Sequence, residues 1–317
     1  MRLLDRILAE SFLSVTDKVN VPCVSGYLGQ AQLVLIDNVA AYYRQELERK
    51  KEAKEKIEAS DFPNVMLPFE QTFLEMRLNG ALRIESIDEA GFLMLMFRAS
   101  DAEKEFARLR IAVPERRPEE GDPFYDPSAV WYLVSFVFVH SSGKPRVLHA
   151  ATYVMPVNAE GQILPSRSAD VTWMGKCNMV TPDQTVQTQL EILHFMAERF
   201  LYPGLLTLSF MHCRNVKVMT ERPPDKLSKK YERKTGRPLL KYRVLQIDHM
   251  KQVLEREGGA SSQGLKKALH ICRGHFKHYG RDGKGLLFGK HIATVWIPMH
   301  ARGSAEEGVV MKDYDVK

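Results

Sequence analysis

Residues 268–303 read ALHICRGHFKHYGRDGKGLLFGKHIATVWIPMHARG, and they hold five of the chain's ten histidines with Arg273, Lys277, Lys290 and Arg302 among them. If 268–279 is a strand, alternation places Arg273, His275 and Lys277 on one face. A helix over 266–279 is the competing reading, and Gly274 in its middle argues mildly against it. In the following run, Thr294, Trp296, Pro298, His300 and Arg302 share a face. Pairing the two runs through the glycine-rich loop 280–291 is expected to bring both sets together. Two imidazoles can divide the donation and removal of a proton near neutral pH, and nearby cations can stabilise charge on a phosphoryl oxygen. On that reading His275 and His300 form the acid/base pair of a metal-independent nuclease. The same groups equally suit binding without chemistry: Arg273, Lys277 and Arg302 on phosphates, with Trp296 as a stacking surface. A purely structural polar face is the third reading.

Other chemistries fit less well. The histidines and Cys272 have no standard zinc spacing, and neither HExxH nor a CxxC pair occurs. GKGLLFGKH departs from a phosphate-binding loop, because three residues separate Gly285 from Gly289 and His291 takes the Ser/Thr place. GxSxG is lacking, and carboxylates are sparse where the basic residues gather, which argues against a magnesium nuclease. No cofactor and no metal are expected.

A second basic segment lies upstream. Lys226, Lys229, Lys230, Arg233, Lys234, Arg237, Lys241 and Arg243 crowd into 226–243 against Glu232, with Tyr231 and Tyr242 interleaved. The balance of the chain points the same way. Residues 1–210 carry 22 Lys and Arg against 28 Asp and Glu, whereas 211–317 carry 23 against 11. A field of that sign favours a polyanion, and nucleic acid is the common one.

The elements that must position these residues read as α+β, with antiparallel sheet and a few packed helices. Residues 2–14 form a short amphipathic helix, and a longer one spans about 30–59, its second half almost wholly charged. That charged half could serve in assembly. Strands begin from Asp61. WYLVSFVFVH and RVLHAATYVMPV flank a tight polar turn and predict a β-hairpin. The proline-rich segment 114–128 predicts a surface loop. Residues 183–202 form the clearest helix, with His194 expected in its core or a groove; the segment after it fits either more helix or a strand. A division near residue 205 would separate a helical and mixed α+β part, 1–205, from a basic, β-rich part, 206–317, although one domain is the alternative. The four cysteines are scattered and read as free thiols in a reducing compartment. No run approaches a membrane span or the core of a signal peptide, so a membrane partner is not expected.

Three stretches carry a resemblance: LPFEQTFLEM (67–76), KLSKKYERKTGRPLLKYRVLQI, and the terminal RGHF…WIPMHARG extended by SAEEGVVMKDYDV. Together they resemble a family of uncharacterised tailed-phage and prophage proteins, which carry an LPFxxxxxE box and an RGHF…WxPxHxRG terminus in this order. The resemblance covers the second half of the chain and residues 62–76, and it brings no activity with it. It implies a virus-encoded protein in the cytoplasm of a bacterial host. The leading expectation is therefore a phage-encoded nucleic-acid-binding protein, with Lys229, Lys230, Arg233, Lys234 and Arg237 adding electrostatic grip. The alternatives are the paired-histidine nuclease and a structural or host-interaction protein, whose partner would be a host protein or a second copy of the chain.

Overall fold

A computed structural model describes residues 2–9, 27–52, 55, 57, 61–77, 87–98, 128–140, 146–164, 174–177, 191, 194–247, 268–272, 274–280, 285–287, 289–297, 300–302 and 304–309. The fold is α+β. Helices α1 (Leu3–Ala9), α2 (Asp37–Glu52), α3 (Tyr202–Met211) and α4 (Asp225–Thr235) accompany an eight-stranded sheet. Its strands are β1 (Gln32–Leu35), β2 (Gln71–Arg77), β3 (Ile87–Arg98), β4 (Val130–His140), β5 (Arg146–Val157), β6 (Met174–Cys177), β7 (Val216–Glu221) and β8 (Tyr242–Ile247). They lie in the order β6-β5-β4-β3-β2-β1-β8-β7. The hairpin of β4 and β5 forms as expected, with Val130 opposite Val157 and His140 opposite Arg146.

Two expectations change. The sheet is mixed, because β1 runs parallel to both β2 and β8. Residues 32–35 are this inner strand and not the start of a helix, so the helix runs only over Asp37–Glu52. A strand covered on both faces reads as an unbroken apolar run, and Leu33, Val34 and Leu35 are all buried. Such a run has no period of its own to separate it from a buried helix. The segment 114–128, apart from Ser128, and the start of the helix expected from 183 lie outside the described residues.

The chain divides into two compact units, Met1–Ser209 with Met219–Val244, and Phe210–Val218 with Leu245–Lys317. Residues 219–244 belong to the first unit, with the N-terminal sheet. The basic segment thus belongs largely with the N-terminal sheet.

In the first unit one sheet face, with Leu33, Leu35, Phe73, Leu93, Leu95 and Leu133, packs on Leu3, Leu4 and Ile7 of α1. Gly204 of α3 approaches the other face so closely that an added Cβ would strike Phe92 and Leu74. The helix expected over 183–202 continues to Met211, and α3 is buried nearly all round, which accounts for LLTLSFM lacking an amphipathic stripe. Pro203 cannot donate a backbone hydrogen bond, and the turn before it, Ala197–Leu201, widens into π-helix with the Tyr202 N–H on the Ala197 carbonyl. His194, expected in a core or groove, is exposed.

The LPFxxxxxE box is built into this unit. The Leu67 N–H donates to the Tyr132 hydroxyl at 2.9 Å, and the Glu75 carboxylate, buried in the sheet, accepts the Leu4 N–H at 3.2 Å. Burial pushes the Tyr132 hydroxyl up to about 12.

In the second unit β10 (His275–Tyr279) pairs antiparallel with β11 (Ala293–Ile297), and β9 (Ala268–Cys272) pairs with β12 (His300–Arg302) and β13 (Ser304–Val309). The two strands expected around the glycine-rich loop are each broken, because β9 and β12 belong to one sheet and β10 and β11 to another. The centre is an aromatic trio: the Trp296 ring lies 4.8 Å from both Phe210 and Phe276, edge-on to each. Asn215 fixes β11 like a neighbouring strand. Its amide donates to the Trp296 carbonyl at 2.7 Å and accepts the Trp296 N–H at 2.8 Å. Asn215 and Trp296 are both buried, so each unmade bond would cost about 1–3 kcal/mol. Asn215→Ala is expected to lower unfolding stability by roughly that much or more, read by urea denaturation of Trp fluorescence. Asn215→Asp, which keeps one acceptor but loses the donor and buries a charge, is expected to be no better.

Candidate nucleic-acid interface

The basic segment folds as α4, an eleven-residue helix. Lys226, Lys229, Lys230, Arg233 and Lys234 recur at i, i+3, i+4, i+7 and i+8, which lines them along one side of a helix. All five are exposed, as is Arg237 just beyond the end. Ser228, Tyr231 and Thr235 recur on the opposite side and are half-buried. The helix therefore turns an outer cationic stripe away from an inner polar seam. None of the five makes an ion pair with a carboxylate among the described residues. Like charges three and four residues apart disfavour a helix by a few tenths of a kcal/mol per pair, so the stripe opposes the folding of its own helix. Asp225 in the first turn offsets part of this.

Local bonds hold α4 in shape. Gly236 takes the left-handed conformation, φ 75°, that ends the helix, and its N–H donates to the Glu232 carbonyl at 2.8 Å. Thr235 donates its hydroxyl to the Tyr231 carbonyl at 2.9 Å, and Ser228 accepts the Leu239 N–H at 3.2 Å.

Asp5 of α1 then docks the helix. Its main-chain carbonyl accepts the Tyr231 hydroxyl at 2.6 Å, and its carboxylate accepts the Leu240 N–H at 2.9 Å. Asp5 is buried, and loss of water raises its pKa above the usual aspartate value despite the Leu240 bond. Beside it a half-open groove of about 460 Å³ runs between α1, the turn at Gly29 and the C-terminal end of α4. Farther along, the Arg243 guanidinium lies 4.3 Å from the Phe69 ring centre and donates to the Gln32 side chain at 2.6 Å. Burial lowers its pKa, and it is a packed residue of β8.

The histidine-rich terminus is arranged otherwise than expected. Residues paired across an antiparallel ladder share a face. Trp296 lies opposite Phe276, while His275 and Lys277 lie opposite Ile297 and Val295. Trp296 therefore faces away from His275 and Lys277, and at 4% exposure it packs in the aromatic trio and offers no stacking surface. The β9–β12 ladder keeps the same register, with His300 opposite Cys272 and Arg302 opposite His270. Even-numbered positions thus pair with even ones in both ladders, so the expected meeting of His275 and Lys277 with Trp296 fails by one residue of register. His275 and His300 lie on strands of different sheets, β10 with β11 and β12 with β9. Lys277 is exposed and lies 4.6 Å from the Tyr279 ring centre, and the His278 ring is 2.8 Å from the Thr294 hydroxyl. Arg273 lies outside the described residues, and for Arg302 only the strand position is described.

Within GKGLLFGKH, the described residues 286, 287 and 289–291 form a tight turn. The N–H groups of Gly289, Lys290 and His291 donate to the carbonyls of Leu286, Leu287 and Leu287, so they are spent within the loop and cannot cradle a phosphate. Among the described residues no group of three His, Cys, Asp or Glu side chains is placed to hold a metal ion. Cys213 is a buried thiol whose pKa burial pushes up to about 12.

No protein-family model, curated protein or solved structure matches the chain.

The Asp5 dock is open to a direct test. Asp5→Ala strands the Leu240 N–H and is expected to cost about 1–3 kcal/mol in urea unfolding. Asp5→Asn keeps the acceptor and removes the buried charge, so it should be near neutral at pH 7. Between the ordinary aspartate pKa and the raised one, the folded chain keeps a proton that the unfolded chain has released. Asp5 therefore makes stability fall as pH rises through that window, and the difference in stability between Asp5→Asn and the parent should grow in the variant's favour there. An unchanged difference from pH 4 to 7 would exclude this linkage.

Proposed function

We propose that the protein binds nucleic acid, with phosphates lying along Lys226, Lys229, Lys230, Arg233 and Lys234. The observation that carries this reading is the stripe itself: five exposed cations on one side of a short, capped helix, none in an ion pair among the described residues. Arg237 extends the charge beyond the helix end. Cations so spaced act on the backbone and not on base edges, so the binding is salt-dependent and largely indifferent to sequence. Lys277, exposed on β10, is the member of the terminal cation set whose side chain is described, and it suits a similar role.

The resemblance to tailed-phage and prophage proteins implies that this activity belongs to the cytoplasm of an infected bacterium. Among the described residues no helix is long and apolar enough to cross a membrane.

The test is binding of labelled oligonucleotides across a salt series. Affinity should fall steeply with salt, and Lys229→Ala with Arg233→Ala should reduce the slope of log K against log salt by about one for each cation removed. The loss should be similar for unrelated sequences. Retention that the double substitution leaves unchanged, or none at low salt, would overturn the proposal.

A further inference from the structure

The groove at the end of α4 has the features of a base-binding site. Its volume, about 460 Å³, lies within the roughly 300–1,000 Å³ of small-molecule sites. Leu8, Pro238 and Leu240 give it an apolar lining, and Tyr231 supplies an aromatic one. The Tyr231 side chain is held by its 2.6 Å bond to the Asp5 carbonyl, so the ring is fixed before anything binds. Of the polar lining residues, Gln30 is exposed and able to meet the edge of a base, whereas Asp5 is buried and accepts the Leu240 N–H. Arg237 lines the groove and also continues the stripe past Gly236, while Lys234 lies one helical turn beyond Tyr231. The cations thus lead to the mouth of an apolar pocket. A phosphate chain on the stripe would bring its bases to the groove.

We propose that this groove takes one unpaired nucleobase from the strand held by α4, so that the protein prefers single-stranded nucleic acid to duplex. The inference rests on the nucleic-acid reading above and adds its substrate class. In a duplex the bases are stacked and paired, and only the phosphates can reach the stripe. In a single strand a base is free to turn into the groove and stack on Tyr231, which is worth about tenfold in affinity.

Gly29 supplies the test, because it lines the groove, has no left-handed φ, and a Cβ built there meets nothing within 4 Å. Gly29→Phe should fill the groove and leave the fold intact. Fluorescence anisotropy with the full chain would compare a single strand and a blunt duplex with equal numbers of phosphates. The parent should bind the single strand about tenfold more tightly. Gly29→Phe should lose that preference and keep the parent's duplex affinity, which also reports that it has folded. Equal binding of both probes by the parent overturns the groove proposal and leaves the stripe standing. So does a single-strand preference that survives Gly29→Phe with duplex binding intact. Should Gly29→Phe lose duplex binding as well, Gly29→Leu is measured in the same way and decides by the same criteria. Failure of both probes to bind the parent at low salt overturns the nucleic-acid reading and this inference with it.

Discussion

The cationic helix is held by one buried aspartate. A stripe of lysines and arginines cannot dock its own helix, since it gains from water on one side and from nothing on the other. The inner side of α4 contributes no buried residue. What ties it down is polar and local: Tyr231 and Leu240 both donate to Asp5, at 2.6 and 2.9 Å. Asp5 is itself held in place because its helix packs Leu3, Leu4 and Ile7 into the sheet. Glu75, from inside that sheet, accepts the Leu4 N–H. A chain of dependence thus runs from a buried carboxylate in β2, through α1, to the orientation of five exposed cations. The two carboxylates cost desolvation where they sit, and the bonds to backbone N–H groups offset it.

This dependence gives the LPFxxxxxE box a physical sense. Its leucine bonds through its N–H to Tyr132, its phenylalanine lies under Arg243, and its glutamate caps α1. All three set the position of elements that border the groove or carry charge. The box reads as framework, and the cations of α4 are the part left free to meet a partner.

The sequence was legible where a pattern has one structural meaning. The hairpin of β4 and β5 comes from two β-branched runs about a turn, whereas the helix over Asp225–Thr235 was not read from the spacing of its charges. It was not legible where a pattern has two meanings. Leu33, Val34 and Leu35 suit a buried strand as well as a helix, and only the parallel neighbours β2 and β8 decide between them. The basic segment was also assigned to the wrong half of the chain, because its contacts are to Asp5, more than 200 residues away. Nothing in local composition records such a partner.

The histidine-rich terminus shows how little separates a site from a sheet. Alternation along each strand was a sound rule, and it correctly grouped His275 with Lys277. What it could not supply was the parity of pairing, which the loop between the strands sets. With Phe276 opposite Trp296, the tryptophan turns to Phe210 and becomes core, and Asn215 closes over its backbone. One residue of slip would have put Trp296 beside Lys277. The same burial that removes Trp296 from the surface is what makes the second unit's hairpin firm. Aromatic residues near cations therefore do not mark a nucleic-acid surface by themselves; the side on which the ring lies does. In α4, by contrast, Tyr231 anchors the helix through its hydroxyl while its ring lines an open groove.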